Sequence, residues 1–453
     1  MKNITIKKVA LAALMLTAPL LQVNAVELKE YDTVLEKYID TTGPGVAVIV
    51  TKNGETLYKQ ARGLANIELQ VPIQADTVFR LGSITKQFTG AAIMMLVEQG
   101  KLSLSDNLHK YVPDFPTEGN TVTIKHLLTH TSGIANYTQD EKIMEKELKT
   151  PTTLDAMIKR FAEHPMALKV GEANRYSNTG YVLLGKIIEV VSGKTYAEFI
   201  EQDIFAKLAM KNSRFGGLQL IPNRASGYSQ GENGYVNAGY IDMMWPHAAG
   251  SLLSTVDDLN IWFSALRNGK LISKKSYMSM TSAVKLNDGS MSNYGFGLGM
   301  FKFNKYDGIG HGGGIHGFAT NALYIPSEDL YVAVLNNYDS GNPSEIARML
   351  AAVALEIPLP KFETVTLSKK HLSTMMGDYK LDSGDIRKIF IEGDNVFSMR
   401  GDGHKWQVYP MSDNGFYYDN SLSYFTIDKN SQGQQVMNFY RNLSATPEVA
   451  VKQ

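Results

Sequence analysis

Ser83 and Lys86, a hydroxyl and an amine three positions apart, are the residues of this chain best suited to chemistry. At this spacing two side chains share one face of a helix, so the amine can act as a base for the hydroxyl. Apolar residues recur at helical spacing over 87–99, and Gly100 follows as a helix stop. We therefore predict that Ser83 opens a helix, whose dipole and unpaired N–H groups favour an oxygen that becomes negative during attack on a carbonyl.

The same spacing recurs at Ser282 and Lys285, so the pattern alone does not identify a nucleophile. A turn signal at Asn287–Gly289 follows this second pair instead of a helix. Ser83, in contrast, opens a long amphipathic pattern and is followed along the chain by two further elements that such chemistry needs.

The first of these elements is Tyr176 with Asn178, just before a helical pattern. The phenol can share a proton with a serine, and the amide can orient a lysine or a substrate carbonyl. The pattern Tyr-x-Asn also begins at Tyr235, Tyr418 and Tyr440, so position in the chain is what favours Tyr176.

The second element is the glycine-rich segment Gly310–Gly314, which contains His311 and precedes a strand pattern. Glycines at the start of a strand let a ligand approach the backbone closely. Their N–H groups can complete an oxyanion hole with the N–H of Ser83. A flexible glycine turn is the alternative interpretation.

In this order the three motifs closely resemble those of serine hydrolases related to class C β-lactamases and D-alanyl-D-alanine carboxypeptidases. The motifs are Ser83-x-x-Lys86, Tyr176-x-Asn178 and His311-x-Gly313. The linking blocks 79–83, 127–133 and 250–255 also match, and the resemblance runs from about residue 27 to 355.

The resemblance implies acyl transfer through a covalent acyl-enzyme on Ser83, with Lys86 and Tyr176 relaying protons. A lysine buried beside another titrating group can have a lowered pKa, and so can a tyrosine near a cation. Because coupled groups share their titration, the sequence leaves open which of the two takes the serine proton.

The resemblance also implies a substrate site. Asn178 would position the substrate, His311 and Gly313 would lie on the binding strand, and Gly314 would give the second oxyanion N–H. Many penicillin-recognising relatives carry Lys-Thr-Gly where this chain has His311-Gly312-Gly313, so a fixed positive charge and a hydroxyl that hold a substrate carboxylate are missing. With an ordinary pKa of about 6.5, a histidine is mostly neutral at neutral pH.

We therefore expect poor β-lactam turnover and a preference for small peptides, amides or esters, including D-amino-acid or peptidoglycan-derived peptides. A short-chain esterase and a weak β-lactamase are alternatives within the enzymes. A non-catalytic receptor for cell-wall fragments or lipids is the alternative of another class, since a fold does not prove activity. No cofactor or metal is expected.

The elements that position these residues predict an α+β fold. A helical pattern at 28–39 and a hairpin around Asn53-Gly54 open the domain, helical patterns dominate from 83 to about 267, and strand patterns return at 294–300, 319–325 and 330–335. Strands at both ends of a helical middle predict one antiparallel sheet flanked by helices, with a helical subdomain.

The run 357–360, Ile-Pro-Leu-Pro, breaks this pattern, and short alternating segments follow it. They predict a small all-β barrel domain, which resembles, by composition, the lipocalin-like domain of some members of the family, including D-amino-acid-specific peptidases. Covering the active site, binding peptidoglycan, mediating oligomers and simple stabilisation are its open roles. The predicted division is 1–25, 26–357 and 361–453, and the oligomeric state is left open.

The first 25 residues predict a signal peptide: three lysines, an apolar run from Val9 to Val23, and small residues before a cleavage point after Ala25. A membrane anchor is the alternative, but the run is short for a spanning helix and contains Pro19. A periplasmic or secreted protein is expected, with no permanent membrane span after cleavage.

Composition excludes several kinds of site and gives no sign of some kinds of partner. The absence of cysteine excludes disulfides, thiolate zinc sites and a thiol nucleophile. Because basic and acidic residues number 45 each, nothing in the charge suggests nucleic acid or an anionic membrane as a partner.

Other polar residues have simpler interpretations. His126 and His130 are four apart but lack the intervening glutamate of a zinc protease, so structural roles are expected. Packing is expected for His247 and an ion pair for Arg80, whereas His316 could touch substrate from the glycine-rich segment.

Overall fold

A computed structural model describes residues 25–453 except 165, 382, 383, 420 and 445. The predicted signal peptide, residues 1–25, therefore lies outside the described residues apart from Ala25. Among the described residues, no helix has both the length and the apolar character needed to cross a membrane.

The helices are α1 (Ala25–Tyr38), α2 (Thr85–Glu98), α3 (Ile124–Leu128), α4 (Glu141–Glu145), α5 (Leu154–Phe161), α6 (Asn178–Ser192), α7 (Tyr196–Phe199), α8 (His247–Gly250), α9 (Val256–Arg267), α10 (Lys274–Met280), α11 (Pro343–Ala354) and α12 (Lys369–Met375). The strands before the barrel are β1 (Val46–Lys52), β2 (Glu55–Arg62), β3 (Leu64–Asn66), β4 (Val71–Pro72), β5 (Phe79–Arg80), β6 (Arg214–Phe215), β7 (Tyr228–Gly231), β8 (Gly234–Asn237), β9 (Leu252–Ser254), β10 (Val284–Lys285), β11 (Met291–Ser292), β12 (Gly299–Phe303), β13 (Tyr306–Ile315), β14 (Phe318–Ile325) and β15 (Leu330–Asn336).

A six-stranded antiparallel sheet organises the first domain, in the order β12-β13-β14-β15-β1-β2. The strands β1 and β2 join at Asn53 and Gly54, whose φ angles are 53° and 81°. Positive φ at both positions is the geometry that Asn-Gly favours in a two-residue hairpin, so the predicted hairpin is confirmed.

Alternation of side chains along β1 assigns the two faces of the sheet to two cores. Val46, Val48 and Val50 join a buried cluster with α1 and α11. Ala47 and Ile49 join a larger cluster that holds the buried faces of α2 and of the helices α3 to α7. Helices thus cover both faces, and the predicted α+β fold is confirmed.

The C-terminal part is a closed barrel of eight strands paired in chain order, which confirms the predicted barrel. Phe416, Phe425 and other apolar side chains fill its interior. The strands are β16 (Gly377–Leu381), β17 (Ile386–Glu392), β18 (Asn395–Arg400), β19 (Trp406–Pro410), β20 (Gly415–Tyr418), β21 (Tyr424–Lys429), β22 (Gln435–Tyr440) and β23 (Glu448–Lys452).

The barrel contacts the first domain on the α1 and α11 side of the sheet. Leu422 is fully buried in the same cluster as these helices, and its N–H donates to the Glu345 carboxylate. Asn304 donates to the Leu443 carbonyl at 3.2 Å. These contacts lie on the face of the sheet opposite to α2, so they do not support the role of covering Ser83.

Two strand predictions were wrong in detail. The pattern at 294–300 predicted a strand there, but β12 begins at Gly299, because Gly297 turns with a φ of 77°. A Cβ on Gly297 would lie 2.3 Å from the Lys86 carbonyl oxygen, so this turn packs directly on α2. The glycine-rich segment Gly310–Gly314 lies inside β13 rather than at the start of the following strand.

Candidate active site

Ser83 occupies a single 3-10 turn, Gly82–Ile84, that leads directly into α2. Gly82 has a φ of 54°, a conformation that glycine adopts without strain. A Cβ on Gly82 would lie 2.9 Å from the backbone nitrogen of Gly314. The turn is therefore pressed against β13, and Ser83 lies between the helix start and the glycine-rich strand.

The structure brings the predicted catalytic side chains together at Ser83. The Lys86 Nζ lies 3.0 Å from the Ser83 Oγ, and the Tyr176 hydroxyl donates to the same oxygen at 2.8 Å. The Lys86 Nζ is also 4.7 Å from the centre of the Tyr176 ring. One serine oxygen thus contacts both groups that could move its proton.

Lys86 is fully buried, and burial lowers its pKa well below the ordinary value. Its Nζ donates to the Asn178 Oδ1 and to the Ala249 carbonyl oxygen, both at 2.8 Å. A neutral amine has two N–H groups, so these two acceptors direct its lone pair toward Ser83. The expected lowering of the lysine pKa is confirmed, whereas the Ala249 carbonyl was missed because no side-chain pattern marks it.

A tyrosine near a cation can have a lowered pKa, but the pKa of Tyr176 is raised. The side chain as a whole is 37% exposed, but its hydroxyl end is buried, and that burial raises the pKa against the smaller opposing effect of the hydrogen bond to Ser83. Desolvation of the phenolate outweighs the nearby amine because a buried lysine with a lowered pKa carries little positive charge. Tyr176 is therefore a protonated phenol at neutral pH.

The start of α6 positions both Tyr176 and Asn178. Ser177 is the N-cap residue, and its side chain accepts from the Gly180 N–H. The Ser177 N–H in turn donates to His130 Nδ1 at 3.1 Å. The cap fixes the chain direction at the helix start, so that Tyr176 faces Ser83 while the amide of Asn178 reaches Lys86.

His130 and Tyr294 pack around the catalytic tyrosine, and Tyr294 was not among the predicted site residues. The ring of His130 lies 4.3 Å from that of Tyr176 and 4.6 Å from that of Tyr294. Burial, Lys86 and His311 all lower the pKa of His130, so it packs as a neutral ring. The Tyr294 hydroxyl contacts His311 Nε2 at 2.8 Å. An aromatic layer thus holds the phenol in place beneath Ser83.

His311 turns toward this layer and is neutral. Burial is the main cause of the lowering of the pKa of His311 to about 4, and proximity to the Lys86 amine is a smaller one. The expected neutral histidine is therefore confirmed, and the binding strand brings no positive charge to the site.

The glycines of β13 differ in the space around them. A Cβ on Gly313 would lie 2.0 Å from the Leu81 carbonyl oxygen, and that oxygen also accepts from the Thr320 hydroxyl at 2.8 Å. A Cβ on Gly314 would meet nothing within 4 Å. Gly313 is thus needed for packing of the strand on the Ser83 turn, whereas Gly314 borders open space where a substrate can lie.

This contrast predicts different effects on stability. We expect Gly313→Ala to lower the free energy of unfolding by about 1–3 kcal/mol, because the added methyl overlaps a backbone oxygen. Gly314→Ala, the matched control, should stay within about 0.5 kcal/mol of the wild type. Urea denaturation followed by circular dichroism measures both. Equal stability of the two variants would contradict the packing described here.

A pocket of about 180 Å³ opens at Ser83. Asn178 and Gly314 line it, as does His316, so His316 is placed where it could touch a substrate. The remaining lining residues are Gly82, Tyr137, Thr138, Met144, Leu148, Ile241, Pro246, Ala249, Gly250 and Ile315.

The other polar residues interpreted from the sequence do not line the pocket at Ser83. His247 is buried with its ring 5.1 Å from that of Tyr196, in keeping with the expected packing. His126 Nδ1 accepts from the Thr123 N–H and caps α3. The ion pair expected for Arg80 was wrong: within the described part of the chain its guanidinium has no acidic partner and lies 5.8 Å from the Phe318 ring.

The comparisons with known proteins agree with this geometry. Residues 31–356 match the sequence model of the family described as Beta-lactamase. This chain belongs to the β-lactamase family. It is a serine hydrolase, as the three motifs predicted.

Relatives of this β-lactamase-family chain include proteins with several activities. It is 28% identical to a penicillin-binding protein of Bacillus subtilis (strain 168), with 82% of this chain and 87% of the relative covered. An octameric penicillin-binding protein homologue from Pyrococcus abyssi is 28% identical, with a TM-score of 0.66 over 94% of this chain and 99% of that one. A D-stereospecific amidohydrolase from Streptomyces sp. is 26% identical, with a TM-score of 0.62 over 72% of this chain and 98% of that one.

Proposed function

We propose that this chain is an amidase or peptidase that forms an acyl-enzyme on Ser83 and hydrolyses small peptides containing D-amino acids. The observation that carries the proposal is the contact of Ser83 Oγ with both Lys86 Nζ, at 3.0 Å, and the Tyr176 hydroxyl, at 2.8 Å, beside an open pocket. The similarity to a D-stereospecific amidohydrolase supports the substrate class.

In the first step Lys86 is the base. Its amine is kept neutral by burial, and its lone pair faces the serine because Asn178 and Ala249 accept its two N–H groups. The Ser83 proton moves to Lys86 as the oxygen bonds to the substrate carbonyl carbon. The carbonyl oxygen becomes negative and lies by the N–H groups of Ser83 and Gly314.

In the second step Tyr176 is the acid. Its raised pKa keeps the proton on the phenol until the substrate nitrogen becomes basic in the tetrahedral intermediate. The nitrogen takes that proton, the C–N bond breaks, and the Lys86 ammonium returns a proton to the phenolate. Water then attacks the ester on Ser83 with the same two groups, which regenerates the serine.

Poor β-lactam turnover is part of the proposal. The neutral His311 and the missing hydroxyl at Gly312 leave no group on β13 that could hold the carboxylate of a penicillin in the usual way. We expect penicillins to acylate Ser83 slowly or not at all.

A substrate panel tests the proposal. We expect D-amino-acid p-nitroanilides to be hydrolysed with a kcat/KM at least about 10-fold above that of their L-forms, with nitrocefin far below the rate of resistance enzymes. Rapid hydrolysis of p-nitrophenyl butyrate with no amide turnover would favour the esterase instead. Mass mapping after a fluorophosphonate should place the label on the peptide that contains Ser83, and no label under any condition would favour the receptor.

We also propose that the protein is exported to the periplasm or secreted. The basic and apolar pattern before Ala25 supports this proposal. Cell fractionation with N-terminal sequencing of the mature protein tests it: a mature chain beginning at Val26 is expected, and an uncleaved cytosolic protein would contradict it.

A further inference from the structure

A second pocket, of about 710 Å³, lies next to the active-site pocket. The two pockets share Ile241 as a lining residue. Arg80 lines the second pocket and stands three residues before Ser83, so the two Cα atoms are at most about 11 Å apart. A molecule bound at Ser83 can therefore extend into this second pocket.

Two arginines give the second pocket its charge. Arg80 and Arg224 both line it, and in the part of the chain that the structure describes neither guanidinium has a hydrogen bond or an ion pair. Burial is the main cause, and the charge of Arg224 a smaller one, of the lowering of the pKa of Arg80 to about 10. Two neighbouring arginines without acidic partners favour an anion between them.

One carboxylate lies among the lining residues of the second pocket. Asp242 provides it, and it accepts from the Met244 N–H at 2.9 Å. The described lining thus holds two arginines against one aspartate, which leaves a net positive charge.

The rest of the second pocket is apolar and open. Phe215, Met243 and Ile241 line it, and the adjoining Leu218 and Leu220 are 95% and 97% exposed. Such a surface suits the side chains of an extended peptide better than a small inorganic anion, because its walls offer apolar contacts beyond the charge.

We propose that the second pocket binds a carboxylate of the peptide substrate, held between Arg80 and Arg224 and remote from the scissile bond. This proposal rests on the proposed function and names its substrate class: anionic rather than neutral peptides. It also explains how a site whose binding strand carries a neutral His311 can still select a carboxylate, since the positive charge lies in the neighbouring pocket.

Binding to the Ser83→Ala protein tests the proposal without requiring turnover. Isothermal titration would compare N-succinyl with N-acetyl forms of one D-alanyl peptide, and free-acid with amide forms of its carboxyl end. The first pair places the charge on the acyl side and the second on the leaving side. We expect the charged member of one pair to bind about 10-fold or more tightly than its neutral partner.

Arg224→Gln, added to Ser83→Ala, should remove that preference, and because Arg224 is exposed the change should not disturb folding. Lys270→Gln is the matched control: it removes one positive charge from an exposed position outside both pockets, and it should keep the preference. Equal affinities within both pairs, or a preference that survives Arg224→Gln, would overturn the proposal. Failure of the substrate panel would instead overturn the proposed function, so the two failures are distinguishable.

Discussion

Ser83→Ala is expected to lower kcat/KM for the best amide substrate by about 10⁴-fold or more. The alanine lacks the oxygen that forms the covalent intermediate, so Lys86 has no serine proton to take and Tyr176 has no tetrahedral intermediate to protonate. Labelling by fluorophosphonates should disappear at the same time. Because the contacts of the Ser83 hydroxyl with other described residues are those to Lys86 and Tyr176, the thermal unfolding temperature should change little.

The chain supplies a matched control for this variant. Ser282 has a lysine at the same spacing, but it is exposed and donates to the Met278 carbonyl at 2.5 Å. Ser282→Ala should therefore retain full activity and full labelling. Substantial activity in purified Ser83→Ala, or loss of activity in Ser282→Ala, would show that the nucleophile has been assigned wrongly.

Lys86→Met is expected to lower kcat by about 10²–10⁴-fold, the usual contribution of a positioned base. Methionine fills a similar volume, so the buried position should remain packed. The wild-type rate should rise with pH as the amine loses its proton, and the lowered pKa of Lys86 places this rise below the ordinary range of lysine. Since His311 titrates near pH 4, an acid limb above that value belongs to another group.

A pH–rate profile of both proteins checks this assignment. The residual activity of Lys86→Met should lack the acid limb, whereas Lys285→Met, which alters the exposed lysine of the second pattern, should reproduce the wild-type curve. An acid limb that persists in Lys86→Met would show that Lys86 is not the base.

The site was predictable from sequence where side chains carry the chemistry. Ser83, Lys86, Tyr176 and Asn178 were all named, and the structure brings them together. The Ala249 carbonyl was not predictable, because every residue has a carbonyl and only the fold aims this one at Lys86. The sequence also left open the direction of the Tyr176 pKa shift, since that direction depends on burial.

Local pattern likewise predicted most of the fold, including the hairpin at Asn53-Gly54 and the barrel. It did not predict which strands close the barrel. The strands β16 and β23 pair with each other to close the barrel, with Tyr379 opposite Lys452, and a contact between residues so far apart in the chain leaves no local signal. The second pocket, which Arg80 lines, was not predicted for the same reason: its lining residues are far apart in the chain.

The buried Leu422 has a consequence for how this protein unfolds. The catalytic domain does not complete its own interior, because a side chain from the barrel fills part of the cluster beneath α1 and α11. Truncation before the barrel would expose that apolar surface to water and leave the nearly buried Glu345 without its N–H donor. The two domains should therefore unfold cooperatively, and the isolated N-terminal domain should be prone to aggregation.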